Sequence, residues 1–291
     1  MAILGVDVGG TFTDAVLLED GQLRTAKVPT TARQEESVLA AARALGGEVE
    51  RFAHGTTVAT NALLERRGVK TAYVGNAGFE HLLHLRRQTR AHLYRLCADH
   101  PAPLVPLERC HGVRGRLGPD GELEPLDLAS LPDVGDAEAV AVNLLFSFAD
   151  PAHEEAVAAE LRRRHPGVHV VASHEVAPEF REYERASTTA ADAYLAPVAA
   201  RYLRALAAAA GEAGLPEPLV MLSAGGVASV ADAAAHPATI LVSGPAAGVV
   251  GAGLVARRAG FEHAIAFDMG GTSTDVCLLP GGRAEIGRAH V

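Results

Sequence analysis

The sequence predicts an α/β fold, and three observations carry that expectation. One stretch occurs twice. Asp7-Val8-Gly9-Gly10-Thr11-Phe12-Thr13-Asp14 returns as Asp268-Met269-Gly270-Gly271-Thr272-Ser273-Thr274-Asp275, offset by 261 residues throughout. Each copy lies between two apolar runs and so reads as a strand, a tight Gly-Gly turn and a second strand. Between residues 139 and 172 an apolar run, a helix-periodic stretch and another apolar run follow in turn, the β-α-β order of an α/β sheet. The composition agrees: 48% of the 291 residues are hydrophobic but only 4% aromatic, with no Trp. A core of Ala, Val and Leu suits Ala-rich helices laid on a Val/Leu-rich sheet.

Taken in order, residues 3–28 read as three antiparallel strands, with Glu19-Asp20-Gly21 turning the second into the third. Arg33 to Leu45 is periodic as a helix and is closed by Gly46-Gly47. A short strand, Arg51-Phe52-Ala53, delivers His54-Gly55-Thr56-Thr57 to a helix from Val58 to Arg67 that Gly68 stops. Thr71 to Gly75 is a strand, and residues 104–126 are read as a β-hairpin insertion turning at Gly118-Pro119-Asp120-Gly121. Ala139 to Phe148 reads as a buried strand. The helix from Ala152 to Arg164 is capped by Asp150 with Pro151 at its start, and Val168 to Ala172 is the next strand. Glu179 to Ala213 is a long helical region in which Pro197 is a candidate break. The charged residues at its start are read as an exposed face. Leu219 to Leu222 is a strand. The uncharged run from Pro237 to Ala256 is long enough for a membrane span, but its prolines and glycines suit a strand, a turn and a small-residue helix better. Gly244, Gly248 and Ala252, four apart on that helix, leave room for another backbone.

The repeated turn suggests a chemistry. Glycines without Cβ atoms can take positive φ and let an anion come close to successive backbone N–H groups. Thr11, Thr13, Thr272 and Thr274 add hydroxyl donors. Asp7 and Asp268 end their first strands, where a carboxylate suits Mg²⁺ together with waters and phosphates. Two equivalent loops suggest two half-sites across one cleft; two ordinary hairpins in a duplicated fold is the plainer alternative. His54 precedes a helix N-terminus at which Thr56 or Thr57 is a candidate cap. That placement fits acid–base work or polarisation of a carbonyl, and equally a hydrogen-bonded histidine beside a capped helix.

The two loops resemble the first and second phosphate loops of the actin-like ATPase superfamily. The form D-x-G-G-T-x-T-D is most similar to the hydantoinase/oxoprolinase family. So is His54-Gly55-Thr56-Thr57-Val58-Ala59-Thr60-Asn61-Ala62-Leu63-Leu64-Glu65, and likewise Arg87-Gln88-Thr89-Arg90 and the stretch from Arg181 to Thr189. The chain departs from the family pattern at Ala91, Asp192 and Ala224, where relatives commonly carry Pro, Asn and Asn. The resemblance, which runs to about residue 284, implies a ribonuclease-H-like, actin-type ATPase fold with ATP and Mg²⁺ between two domains. It implies a hydantoinase A-type subunit that opens a cyclic amide of the 5-oxoproline or hydantoin type with ATP. Gly9, Gly10, Thr11, Thr13, Gly270, Gly271, Thr272 and Thr274 would cradle phosphates, and Asp7 and Asp268 would hold Mg²⁺. His54, Thr56 and Thr57 are the catalytic candidates at the reacting carbonyl. A hydantoinase B-type subunit or domain is the expected partner, and a homo-oligomer is compatible. A subunit of an ATP-dependent ketone carboxylase and a non-catalytic ATP switch are the rival readings.

A net charge of −9 argues against a nucleic-acid or anionic-membrane surface, so neither is an expected partner. Cys97, Cys110 and Cys277 show no paired spacing, and the N-terminus has no basic leader, so a cytoplasmic setting is expected. The organisation expected is a first domain over 1–260 and the start of a second over 261–284. The ending 285–291 reads as one translation frame of a sequencing-library adapter, hence as a foreign tail on an N-terminal fragment.

Overall fold

The computed structural model describes residues 1–95, 97–269 and 274–283. Gly270, Gly271 and Thr272 of the second loop, and the tail 285–291, lie outside the described residues. The strands are β1 (Ala2–Val8), β2 (Phe12–Glu19), β3 (Gln22–Pro29), β4 (Arg51–Thr56), β5 (Thr71–Asn76), β6 (Cys110–Gly118) and β7 (Gly121–Asp127). They continue as β8 (Ala139–Val142), β9 (His169–Ala172), β10 (Leu219–Met221), β11 (Val227–Ala228), β12 (His263–Met269) and β13 (Thr274–Pro280). The helices are α1 (Gln34–Leu45), α2 (Val58–Leu64), α3 (Leu82–Leu85), α4 (Ala152–Arg164), α5 (Ser173–Val176), α6 (Glu182–Glu212), α7 (Val230–Ala235) and α8 (Ser243–Arg258). Two compact units result: residues 1–60, 200–235 and 239–291 form one, and residues 61–199 and 236–238 the other.

In the first unit a six-stranded sheet runs β11-β10-β4-β1-β2-β3. β1 and β10 flank β4 in parallel, while β1, β2 and β3 meander antiparallel. Asp20 and Gly21 both take positive φ in the β2–β3 turn, as a tight hairpin with right-handed strand twist requires. Side chains alternate between faces, so Leu4, Val6 and Val8 of β1 share a face with Phe52 of β4. That face packs against Val38 and Ala41 of α1 and against Leu206 and Ala210 of α6. Burying each such Val or Leu side chain contributes about 1.5–3 kcal/mol. The opposite face of the same strand pair carries Gly5, Asp7, Ala53 and Gly55.

The repeat seen in the sequence is also a repeat of register. Every partner pair of β1 and β2, from Ala2–Glu19 to Val8–Thr13, recurs 261 residues later in β12 and β13, from His263–Pro280 to Met269–Thr274. Asp7 faces Asp14 across the first pair, as Asp268 faces Asp275 across the second. Among the described residues β12 and β13 pair only with each other.

The second unit is a sheet in the order β7-β6-β5-β8-β9, parallel except for the β6–β7 hairpin. Because β6 pairs with β5, the expected hairpin insertion extends the sheet. Both faces are covered. Val74, Val140 and Val142 meet Val157 and Leu161 of α4, while Tyr73, Ala139 and Ala141 meet Ala186, Ala190 and Ala193 of α6.

Several elements differ from the sequence reading. β8 stops at Val142: Asn143 N–H still bonds the Val74 carbonyl of β5 (2.9 Å), but Leu144 N–H turns to Glu154 (2.7 Å) and Leu145 N–H to Asn76 (2.7 Å). The α6 helix continues through Pro197. Gly68 does not end α2 by a left-handed turn; Arg66 takes that conformation (φ 55°). Gly68 is there for space, since a Cβ would lie 2.2 Å from the Tyr194 ring. Residues 237–240 form a single 3-10 turn and no strand.

The start of α6 is no exposed charged face. Arg185 is among the largest fully buried side chains. It donates to Ser173 Oγ (2.9 Å), the Glu179 carbonyl (2.9 Å), the Leu144 carbonyl (2.8 Å) and the Glu182 carboxylate. Glu154, equally buried, accepts from Leu144 N–H, Ser173 Oγ (2.6 Å), and both His174 N–H (3.0 Å) and His174 Nδ1 (2.8 Å). Desolvation opposes its charge, but these donors outweigh it and hold its pKa below the ordinary value.

Candidate functional site

All the described site residues predicted from sequence belong to the first unit, and the alternation of its strands sorts them onto two faces. Asp7 stands next to last in β1, on the face opposite the core. Its register partner in β4 is Gly55. A Cβ at Gly55 would sit 2.7 Å from Asp7 Oδ1, so only glycine leaves the carboxylate its place. The glycine face of α8 covers the same spot: Cβ positions at Gly244 and Gly248 would lie 3.9 Å from Asp7 Oδ1 and from Asp268 Oδ2 respectively. The room predicted on that helix face thus admits carboxylates at Gly244 and Gly248. Among the glycines of α8 a backbone comes close at Gly253, where a Cβ would meet the Gly282 carbonyl at 2.8 Å.

The two repeated aspartates therefore lie against successive turns of one helix. Partial desolvation raises the pKa of Asp7, and the nearby charges of Asp14 and Asp268 push it further the same way. Lys27 pairs with Asp14 (2.7 and 2.8 Å), so the neighbouring carboxylate has its own cation, whereas Asp7 has none among the described residues. Acidic side chains crowded on one face favour a bound cation. Among the described residues no group of three or more His, Cys, Asp or Glu could hold a metal. A metal here would rest on one or two carboxylates and on oxygens from water or phosphate, the coordination that Mg²⁺ favours.

The first Gly-Gly turn is built differently from the expectation. Neither Gly9 nor Gly10 takes positive φ. Gly9 is needed because a Cβ would stand 3.0 Å from the Phe12 carbonyl, which accepts from Gly9 N–H (3.0 Å). Around Gly10 there is open space, and Gly10 and Thr11 are exposed. Thr13 instead points into the core beside Val8. Its hydroxyl pairs with that of Thr30 (3.0 Å), and Thr30 Oγ1 donates to the Gly9 carbonyl (2.9 Å). Thr13 braces the loop from behind and presents no donor to a ligand. Its repeat equivalent, Thr274, is exposed.

His54, Thr56 and Thr57 do not line up with Asp7. β4 runs on to Thr56, three residues beyond the strand read from sequence, because β1 continues to pair with it as far as Val8–Thr56. His54 and Thr56 therefore share the core face with Phe52, opposite Asp7. His54 is fully buried, and burial pushes its pKa down to about 4, against a raising influence from the Val6 backbone. Its Nε2 lies 2.9 Å from the Tyr202 hydroxyl of α6. With the imidazole neutral and Nε2 as acceptor, that hydroxyl donates. Thr56 Oγ1 accepts from Val58 N–H (3.2 Å), and Thr57 Oγ1 donates to the Val8 carbonyl (3.1 Å). Ser243 Oγ reaches the Thr56 carbonyl (3.5 Å), and Val242 N–H donates to Thr60 Oγ1 (3.0 Å), tying the start of α8 to the end of β4 and the start of α2. These groups form the seam behind the aspartates. Tyr202 had no local signal in the sequence: it lies 148 residues from His54 inside an Ala-rich helix.

Comparison with known proteins agrees with this architecture. The family model described as hydantoinase/oxoprolinase N-terminal region matches residues 3–165, and the one described as hydantoinase/oxoprolinase matches residues 185–290. The caprolactamase subunit alpha of Pseudomonas jessenii is 35% identical over 98% of this chain and 44% of its own length. The crystal structure of the ATP-dependent caprolactamase from the same organism superposes with a TM-score of 0.80 at 35% identity, over 95% of this chain and 43% of that one. A nucleotide-free acetone carboxylase, solved in a study of ATP-dependent acetone carboxylation, superposes with a TM-score of 0.85 at 26% identity. It spans 97% of this chain and 45% of that one. These likenesses bear out the α/β fold of the actin-like ATPase type. The chain spans less than half the length of these relatives. No helix among the described residues is long and apolar enough to cross a membrane.

Proposed function

Because the chain belongs to the hydantoinase/oxoprolinase family, we propose that it is the N-terminal part of an enzyme that opens a cyclic amide with ATP. One observation carries the reading: two hairpins of identical register set Asp7 and Asp268 against the glycine face of one helix. Such an arrangement supplies two like half-sites for one nucleotide. In it Asp7 and Asp268 hold Mg²⁺, and exposed Gly10, Thr11 and Thr274, with Gly270, Gly271 and Thr272, meet phosphate oxygens. When bound, Mg²⁺ supplies charge neutralisation for the phosphates. Gly9 and Thr13 shape the first loop from behind. His54, with Thr56, Thr57 and Tyr202, positions the end of β1 and the start of α8 rather than touching the reacting atoms.

An unstrained lactam is a poor electrophile. Transfer of the γ-phosphoryl group from ATP to the amide oxygen, with ADP leaving, activates the carbon. Water adds to it, and the ring C–N bond breaks as the nitrogen takes a proton. A second water hydrolyses the acyl phosphate so formed to carboxylate and phosphate. The protein's part is positioning and charge stabilisation. The rest of the second domain, begun by β12 and β13, and a hydantoinase B-type subunit or domain complete the enzyme in this reading.

The likeness to acetone carboxylase favours a second reading, carboxylation of a ketone activated in the same way. Turnover by a full-length protein carrying this segment separates the two. ATP hydrolysis stimulated by 5-oxoproline or hydantoin without bicarbonate supports ring opening. Hydrolysis that requires bicarbonate and a ketone supports carboxylation, and hydrolysis indifferent to every small substrate supports an ATP switch.

A further inference from the structure

The second unit holds a pocket of about 220 Å³ that the proposed reaction does not use. One wall is a face of α6, with Tyr183, Ser187 and Ala190 at helical spacing. Leu83 of α3 and the segment 101–104 supply apolar surface, and the Arg66 and Arg86 side chains complete the lining. Among the described residues no acidic side chain lines it.

Both guanidiniums are fixed in place. Arg66 donates to the carbonyls of Ala102 (2.6 Å) and Pro103 (3.3 Å). Arg86 donates to the Pro101 carbonyl, and its other terminal nitrogen lies 3.2 Å from His100 Nδ1. A guanidinium has five N–H donors, so each keeps donors to spare. Their sequence neighbours are different: Arg67 pairs with Glu65 (3.0 Å) and Arg87 with Glu184. Among the described residues Arg66 and Arg86 have no carboxylate partner. Two positioned cations without counter-charge, beside an apolar hollow, call for an anion with an apolar body.

We propose that this pocket binds a small aliphatic carboxylate, its anionic end held by Arg66 and Arg86 and its hydrocarbon part against Leu83, Leu104 and Ala190. The volume lies below the roughly 300–1,000 Å³ of sites for drug-sized ligands, which sets the ligand's scale. A guanidinium meets a carboxylate fork to fork. Inorganic phosphate, more strongly hydrated and needing donors on every side, would face apolar walls over most of its surface. The inference is independent of the Mg-ATP reading, since no residue is shared.

Calorimetric titration of the 291-residue chain with butyrate tests it, with butyramide and inorganic phosphate as comparison probes. The expected result is saturable binding of butyrate at one site and none of butyramide. Arg66→Gln and Arg86→Gln should each weaken it about tenfold or more, the loss of one charge-assisted contact. Because both arginines also anchor the 101–104 segment, Ser187→Leu is the deciding variant. It fills the pocket, removes neither guanidinium, and should abolish binding while circular dichroism stays unchanged. Absence of saturable butyrate binding, wild-type affinity in Ser187→Leu, or phosphate binding tighter than butyrate would each overturn the proposal.

Discussion

Gly55→Ala is the most informative single substitution, because it perturbs one side chain by a known amount. The new Cβ would lie 2.7 Å from Asp7 Oδ1, whereas ordinary contact begins near 3.4 Å. The carboxylate must retreat by about 0.7 Å, beyond the roughly 0.5 Å tolerance of a working catalytic constellation. A displacement near 1 Å costs up to about a hundredfold in rate, so a fall of about ten- to a hundredfold in ATP turnover is expected. The strand itself should survive, since only the far end of a side chain is displaced and β4 keeps its partners on both sides. Steady-state ATP hydrolysis and thermal unfolding would be measured on the same full-length variant. Turnover within about threefold of wild type, with melting unchanged, would refute the assignment of Asp7 to the metal site. Collapse of the fold would refute the premise that the carboxylate alone yields.

Three further outcomes follow from the packing. His54 titrates at about 4 in the folded chain and near 6.5 when unfolded, so stability is full above pH 6.5 and is lost as the pH falls toward 4, by up to about 3 kcal/mol. Urea melts at pH 7 and pH 5 should show a smaller pH difference in His54→Phe than in wild type; an equal difference would mean that the imidazole is not buried neutral. Arg185→Ala removes a buried cation and orphans the groups it binds, so a loss of about 3–5 kcal/mol is expected in denaturant melts, against under ~1 kcal/mol for an exposed helix face. Gly68→Ala forces a Cβ to within 2.2 Å of the Tyr194 ring and should lower the melting temperature by several degrees with ATP turnover kept; an unchanged melting point would show that the ring moves aside freely.

Much of the fold was legible because its signals are local. The duplicated Asp-x-Gly-Gly-Thr stretch predicted two hairpins, and their registers turn out to be the same. Helix α4 begins and ends where its cap and periodicity place it, from Ala152 to Arg164. What escaped was the facing of residues that share one short motif. His54, Gly55 and Thr56 look like a loop leading into a helix. Pairing with β1 makes them strand, so His54 turns inward and Gly55 clears the way for Asp7. That pairing joins residues about 48 positions apart, which no local pattern encodes. Arg185 was misread for a related reason: a charged residue early in a helix usually faces water, and its buried partners lie on β8–α4 and α5 segments distant in sequence.

The central claim is that Asp7 and Asp268 act as two halves of one Mg-nucleotide site. Calorimetric binding of ATP to the full-length protein, with and without Mg²⁺, tests it in wild type, Asp7→Asn, Asp268→Asn and the double variant. The account predicts that Mg²⁺ strengthens ATP binding in wild type and that either single substitution removes most of that gain. The double variant should lose little more, since paired groups are non-additive. Full Mg²⁺ dependence in both single variants would contradict it, as would two losses that simply add.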